Sequence, residues 1–149
     1  MWKLISPVEV KISNKRKMIL NLNQFRNLYY RYLNLAKIEY KSLMEEQLST
    51  LPKFKKAGII YVVYKGDKRR FDIGNIVSVH QKFFEDAFVE TGHLEDDKAQ
   101  LLPFYCGTLG RVSDPEPRVE INIFDISTEE GLNEMREFTN NIIDSCNNK

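Results

Sequence analysis

The stretch that decides the fold runs from Lys65 to Asp97 and reads KGDKRRFDIGNIVSVHQKFFEDAFVETGHLEDD. A basic segment at its start is followed by apolar residues at helical spacing, then by a glycine, and then by paired aspartates. This spacing predicts a helix over residues 75–91 whose broad apolar face packs against a sheet. Gly92 suits the position just after such a helix, where a positive φ is needed. The predicted buried face consists of Ile76, Val77, Phe83, Phe84, Ala87 and Phe88.

Carboxylates in this stretch, beside its basic start, are typical of a metal-dependent enzyme that acts on phosphodiesters. Mg²⁺ prefers oxygen ligands and is often held by one or two carboxylates together with a substrate phosphate. Two such ions can stabilise the attacking and the leaving oxygen during hydrolysis. The candidate ligands are Asp72, Asp86, Asp96 and Asp97, with Asn75 as a weaker one. Lys82 is the candidate for neutralising charge that develops on the phosphate.

Two expectations about these carboxylates compete. If the fold is as predicted, we expect Asp72 and the Asp96–Asp97 pair to converge on one ion, although periodicity alone does not show whether the turn after Gly92 brings them together. The alternative is that Asp72 caps the helix and that the other carboxylates form a solvated acidic face. Spacing alone leaves both open.

Four short motifs occur in a fixed order across the middle of the chain. They are Arg69–Asn75 (RRFDIGN), Lys82–Ala87 (KFFEDA), Gly92–Asp97 (GHLEDD) and Pro117–Ile121 (PRVEI). Taken together they resemble the RusA-type Holliday junction resolvases, over roughly residues 59–124. The resemblance implies a small α+β homodimer that nicks four-way DNA junctions, using Mg²⁺ bound by aspartates, with Mn²⁺ as a possible substitute.

The resemblance also ranks the candidate residues. Asp72, Asp96 and Asp97 are the first-choice metal ligands, Asp86 is the second choice, and Lys82 is the electrostatic catalyst. The sequence departs from the pattern at two positions. Gly74 stands where many relatives have the second aspartate of D-x-D-N, and Gln81 stands where longer relatives have an acid before the lysine.

These departures keep two further functions open. The first is a branched-DNA-binding protein on the same scaffold that does not cut. The second, more remote, is a protein-interaction module with an incidental acidic patch. Metal-dependent cutting separates the enzyme from the binder, and salt-sensitive DNA binding separates both from the interaction module.

Basic residues are concentrated between Leu51 and Arg70, where seven stand against one acid. Phosphates could dock on these flanks while a metal takes the scissile phosphate. Phe71 is either a wedge between DNA bases or a buried side chain. The predicted DNA-binding residues are Lys53, Lys55, Lys56, Lys65, Lys68, Arg69, Arg70 and Phe71.

The composition indicates a single domain, residues 1–149, without a global basic field, because the net charge is +1. The two cysteines provide neither a disulfide framework nor metal-ligand spacing, which is typical of a reducing cytoplasm. No apolar run is long enough to cross a membrane, and the chain starts without a secretory pattern, so we expect no membrane partner and a cytoplasmic location.

The remaining patterns predict an α+β fold: a mixed sheet with two main helices packed on it and an additional C-terminal helix. His80 is expected in the core or at a dimer contact, and His93 in a surface turn. The predicted strands are Trp2–Ile5, Val8–Ile12, Gly58–Tyr64, Leu101–Cys106 and Arg118–Phe124, and the predicted outer helices are Gln24–Leu48 and residues 128–146.

Overall fold

A mixed four-stranded sheet forms the centre of the computed structural model, which describes residues 1–148. The strands are β1 (Trp2–Ser6), β2 (Glu9–Lys11), β3 (Lys17–Ile19), β4 (Ala57–Tyr64), β5 (Phe104–Arg111) and β6 (Arg118–Asp125). The helices are α1 (Leu22–Asn27), α2 (Tyr30–Leu48), α3 (Ile73–Glu90) and α4 (Glu129–Asn147). The strand order in the sheet is β1–β6–β4–β5, and β2 and β3 form a separate hairpin. The predicted α+β class is confirmed.

The connection from β4 through α3 to β5 sets the geometry of the molecule. β4 and β5 are the parallel pair of the sheet, so the chain must cross back between them, and α3 makes that crossover. The start of α3 therefore lies near the exit of β4, and its end lies near the entrance of β4. At that entrance the N–H of Phe54 donates to the carbonyl of His93 at 2.7 Å, and the N–H of Ala57 donates to the carbonyl of Leu101 at 2.9 Å.

Both faces of β4 are covered, because its β-branched and aromatic residues contact a different helix layer on each side. Ile59 and Tyr61 face the main core with α2 and α3, whereas Ile60 and Val62 face α4. The main core also takes up Phe83, Phe84 and Phe88 from α3, as the helical spacing predicts. Gly92 has a φ of 81°, which confirms the prediction of a left-handed residue after the helix.

The C-terminal helix α4 is anchored at its start. Thr128 caps it, accepting a hydrogen bond from the N–H of Gly131 at 3.1 Å. Gly131 lies so close to the carbonyl of Asp125 that a Cβ would overlap it. Gly58 in β4 leaves room for Met135, whose sulfur would lie 2.7 Å from a Cβ at that position. Glycine at these two positions therefore lets α4 lie close against the sheet.

The prediction of one helix over Gln24–Leu48 is wrong, because the chain breaks between α1 and α2. Leu28 has an extended backbone, with φ −82° and ψ 134°, and its side chain packs on the core. Asn21 caps α1, because its Oδ1 accepts a hydrogen bond from the N–H of Gln24 at 2.9 Å. The break between the two helices therefore lets the side chain of Leu28 pack on the core.

The predicted boundaries of β5 are wrong as well, since the strand covers Phe104–Arg111 rather than Leu101–Cys106. Gly107 and Gly110 lie inside the strand, where they permit close contact with neighbouring side chains. A Cβ at Gly107 would lie 2.6 Å from a methyl of Val77, and one at Gly110 would lie 2.7 Å from the ring of Tyr64. The predicted strand Val8–Ile12 is reduced to β2, which pairs with β3.

Candidate functional site

The first predicted ligand, Asp72, acts as the N-terminal cap of α3. Its Oδ1 accepts a hydrogen bond from the N–H of Gly74 at 2.8 Å, and the side chain is exposed at the exit end of β4. The N–H of Asn75 donates to the backbone carbonyl of Asp72 at 3.1 Å, and Asn75 is exposed. Because one oxygen is enough for the cap, the other oxygen of Asp72 is open to solvent.

The two aspartates that follow α3 have different surroundings. Asp96 forms an ion pair with Lys98 at 2.8 Å, and this ammonium lowers the pKa of the Asp96 carboxyl. Asp97 instead lines a polar recess of about 280 Å³ on the surface of α3, which we call the acidic recess. The other residues that line the acidic recess are Ser78, Gln81, Lys82, Glu85 and Asp86.

Asp72 and Asp97 do not converge within one chain. Asp97 lies near Glu85, whose carboxyl pKa it raises. The interval from residue 72 to residue 85 corresponds to about 20 Å along a helix axis, at about 1.5 Å per residue. Within residues 1–148, no group of three or more His, Cys, Asp or Glu side chains is placed to hold a metal ion. The expected convergence in a single chain is therefore wrong, because α3 separates the two positions along its length.

Glu85 is the most perturbed carboxyl of the acidic recess. Only 8% of the residue is exposed, and its Oε1 is buried without a hydrogen-bond partner in the described part of the chain. Burial, and to a smaller extent the neighbouring charges of Asp97 and Asp86, raise the pKa of Glu85 to about 7, while a hydrogen bond with Gln81 acts in the opposite direction. A cation in the recess would reverse this balance, because it favours the ionised form.

The other two predicted residues on α3 also line the acidic recess. Asp86 is held by Lys37 of α2 at 3.2 Å, so its charge is already partly compensated. Lys82 is exposed, and its ammonium lies 5.9 Å from the centre of the Phe25 ring. The recess thus combines carboxylates with one ammonium, which is the mixture predicted for phosphate chemistry, although it does not include Asp72.

The basic loop after β4 is held in shape by its own residues. The ammonium of Lys65 bonds to Asp67 at 2.5 Å and to the carbonyl of Arg69 at 3.1 Å, and it lies 4.7 Å from the centre of the Phe71 ring. Phe71 is half-buried against the core. Lys65 is therefore a structural residue of the loop as well as a candidate DNA contact.

The tips of this loop remain open to solvent. The side chain of Arg69 is 88% exposed and reaches Asp67 only at 3.8 Å. Lys68 and Arg70 are exposed and form no ion pair within the range 1–148. These three side chains stand directly before Asp72, so they form a basic surface at the N-terminal end of α3.

A second basic surface lies at the opposite end of β4. Lys53, Lys55 and Lys56 are exposed in the segment that enters the strand. β4 has eight residues, so the two basic surfaces are about 23 Å apart along it, at about 3.3 Å per residue. The acidic recess lies on α3 between these two ends.

Neither histidine belongs to the acidic recess. His80 is 1% exposed, and its Nδ1 lies 2.7 Å from the hydroxyl of Ser6, which lies 2.8 Å from that of Tyr40. Burial lowers the pKa of His80 to about 3, so the imidazole is neutral. It borders a separate, largely apolar cavity of about 310 Å³. His93 stacks on Phe88 in the turn after α3, as expected for a turn residue.

Three residues of the acidic recess were not predicted as site residues, namely Ser78, Gln81 and Glu85. The hydroxyl of Ser78 is also buried without a hydrogen-bond partner among residues 1–148. One signal in the sequence was available for Glu85. It directly follows Phe84 and precedes Phe88 by three residues, so an acid lies within the predicted apolar face of the helix.

Comparison with known proteins adds no relative to these observations. No protein-family model matches the sequence, and no curated protein matches it either. Among the helices of residues 1–148, none is long and apolar enough to span a membrane.

Proposed function

We propose that this protein is a divalent-metal-dependent endonuclease that nicks four-way DNA junctions and acts as a homodimer. The observation that carries the proposal is the basic surface of Lys68, Arg69 and Arg70 placed directly before Asp72. Exposed guanidinium and ammonium groups bind DNA phosphates, and a carboxylate next to them can hold a metal at a bound phosphate. The order of motifs that resembles the RusA-type resolvases supports the same function.

A dimer is required by this proposal, because Asp72 and Asp97 lie apart in one chain. β5 pairs with β4 on one side only, and no strand of residues 1–148 covers its other side. Phe104 and Tyr105 are exposed on it, at 36% and 51%. The unpaired backbone groups of an edge strand can pair with another chain. Two copies that join here about a two-fold axis would form one continuous sheet.

The same axis would arrange the two α3 helices antiparallel. The close approach of Gly107 to Val77 places the middle of β5 beneath the first half of α3, next to Ser78. If a two-fold axis passes beside residue 78, a residue a given number of positions before 78 in one α3 lies level with the residue the same number of positions after 78 in the other α3. Asp72 of one chain then lies within about one residue of the level of Glu85 of the partner subunit. We infer that each acidic recess is completed by Asp72 from the other chain.

The chemistry assigned to each part follows from its charge. The carboxylates of the acidic recess, with Asp72 of the partner subunit, would hold Mg²⁺ or Mn²⁺, and the ion would supply polarisation of the scissile phosphate and a lower pKa of its bound water. Lys82 neutralises charge at the phosphate, and Lys68, Arg69 and Arg70 hold the DNA backbone. A dimer with two equivalent sites matches the two symmetric strands of a four-way junction.

The proposal is tested with purified protein and a synthetic four-way junction, in Mg²⁺ or Mn²⁺ and in EDTA. We expect paired nicks in the metal-containing reactions, none in EDTA, and little cutting of a linear duplex of the same sequence. The Arg69→Ala, Arg70→Ala double variant should weaken binding and lower its salt dependence by up to about two phosphate contacts. Tight junction binding without any cutting in either metal would refute the nuclease.

A subunit-mixing experiment tests the composite site directly. The Asp72→Asn and Asp97→Asn variants should each be inactive as homodimers. In a mixed dimer, both substitutions fall in one site and the other site is intact, so mixing should restore single nicks. Failure to restore cutting, when mass spectrometry shows mixed dimers, would contradict the exchange of Asp72. Light scattering that gives only monomers at micromolar concentration would also contradict the exchange of Asp72.

The second candidate function, a branched-DNA binder that does not cut, is favoured by two residues of α3. Gly74 and Gln81 carry no carboxylate, so the surface of α3 between Asp72 and Glu85 has fewer ligands than the resembled pattern provides. A binder and an enzyme both require the basic surface, and only the enzyme requires Asp72. The cleavage assay in Mg²⁺ therefore distinguishes them.

A further inference from the structure

The acidic recess contains polar atoms that lack the partners expected of buried groups. Ser78 Oγ and Glu85 Oε1 are both buried without a hydrogen-bond partner within residues 1–148. Buried polar groups are nearly always paired in native proteins. The shared position of these atoms therefore indicates a polar occupant of the recess.

Charge determines which occupant fits. Among the lining carboxylates, Asp86 is paired with Lys37, whereas neither Glu85 nor Asp97 forms an ion pair anywhere in the described range. These two carboxylates line the same recess, so their like charges repel each other. A neutral water molecule would satisfy hydrogen bonds but would leave this repulsion in place. A cation satisfies both requirements.

We propose that Glu85, Asp97 and the hydroxyl of Ser78 bind a divalent cation of the Mg²⁺ class in each single chain. All three donors are oxygens, which hard cations prefer, and Mg²⁺ retains several waters, so two carboxylates and a hydroxyl suffice. The cation should bind to a single chain without DNA. Only its part in cleavage rests on the proposed function. In this proposal Glu85 and Ser78 are ligands of the cation. Asp97 is a ligand as well, whereas its neighbour Asp96 is not.

The test measures Mn²⁺ binding to metal-free protein, without DNA, by the loss of the electron paramagnetic resonance signal of free Mn²⁺. Wild type should bind one Mn²⁺ per chain, and Mg²⁺ should displace it. Glu85→Gln and Asp97→Asn should each weaken binding by about tenfold or more, since each removes a full charge next to the ion. Ser78→Ala should weaken it less, because it removes a neutral ligand.

Two matched controls exclude a general effect of negative charge. Asp96→Asn changes the adjacent carboxylate, which is paired with Lys98, and Glu90→Gln changes a carboxylate on the same helix, which is paired with Lys41. Both should bind Mn²⁺ as wild type does. No saturable binding by wild type at millimolar Mn²⁺, or unchanged binding by Glu85→Gln, would overturn the site and leave water as the occupant.

The outcomes also separate this site from the proposed nuclease. If Mn²⁺ binds through Glu85 and no junction is ever cut, the cation site stands and the nuclease fails. If Glu85→Gln cuts junctions at the wild-type rate in Mg²⁺, the nuclease stands and the cation site is refuted as its metal centre.

Discussion

Replacing Glu85 with glutamine should make the metal-free protein more stable at neutral pH and leave it almost unchanged in acid. Burial raises the pKa of Glu85 from its ordinary 4.5 to about 7. The folded protein therefore holds this proton more tightly than the unfolded chain does. The resulting stabilisation is complete below pH 4.5 and is lost as the pH rises through 7. Glutamine has nearly the same size and never ionises, so it avoids the loss.

The magnitude follows from the two pKa values. At pH 7.5, ionised Glu85 costs about 3 kcal/mol, at about 1.4 kcal/mol per pKa unit, and at pH 4.5 it costs only about 0.4 kcal/mol. Because the acidic recess opens to water, solvent screening reduces the difference to about 2 kcal/mol. The charges of Asp97 and Asp86 are part of this cost, and the hydrogen bond with Gln81 opposes it.

Urea denaturation in EDTA at pH 4.5, 6.0 and 7.5 measures this difference. The control is Glu90→Gln on the same helix, because Glu90 is largely exposed and paired with Lys41 at 3.0 Å. We expect a gain in the free energy of unfolding that grows with pH for Glu85→Gln only. An equal effect of Glu85→Gln at pH 4.5 and 7.5, or the same gain for Glu90→Gln, would refute the reasoning.

Wild type should conceal this titration, because His80 titrates in the opposite direction. Burial lowers the pKa of His80 from 6.5 to about 3, so its contribution to stability is complete above pH 6.5 and is lost as the pH falls toward 3. Between pH 4.5 and 7.5 it adds about 2.7 kcal/mol, close to what Glu85 removes. The free energy of unfolding of wild type should therefore vary little with pH in this range, and Glu85→Gln should reveal the rise caused by His80.

Three further substitutions test other parts of the structure. Gly131→Ala should destabilise by about 3 kcal/mol in urea denaturation, because a Cβ there overlaps the carbonyl of Asp125. Ser6→Ala should cost about 2 to 4 kcal/mol, since it leaves the buried Tyr40 hydroxyl and the imidazole beside it without partners. Asp72→Asn keeps the oxygen that caps α3, so it should abolish junction cleavage with almost no loss of stability, whereas Asp72→Ala should also cost about 1 kcal/mol by calorimetry.

The elements best predicted from sequence are those with a strong local pattern. Helix α3 has a regular apolar face and a terminal glycine, and β4 has a continuous β-branched and aromatic run, so both were placed within two residues. β5 was misplaced because Gly107 and Gly110, which usually signal a loop, serve here for close contact with Val77 and Tyr64. Such contacts depend on the tertiary fold, which local pattern does not contain.

The residue types of the candidate site could be predicted from the sequence, but their positions relative to one another in space could not. The acidic and basic residues of α3 and its flanks were identified by type, and the cap at Asp72 was one of the two open alternatives. The expected convergence failed because the tightness of the turn after Gly92 says nothing about the distance back to the start of α3. Glu85 was not predicted as a site residue because its burial and its partner-free Oε1 depend on how α3 packs in the fold.

The pairing of β1 with β6 has a consequence for how the chain is made. Trp2 lies opposite Ile123 in the sheet, so the first strand finds its partner near the far end of the sequence. During synthesis at about 5 to 20 residues per second, β1 leaves the ribosome about 6 to 24 s before β6 does. For that time β1 lacks the neighbour that it has in the finished sheet, while α1, α2 and β4 emerge between them. β1 can therefore pair in the sheet only after β6 has been synthesised, and it stays without its neighbour longer than any other strand of the sheet.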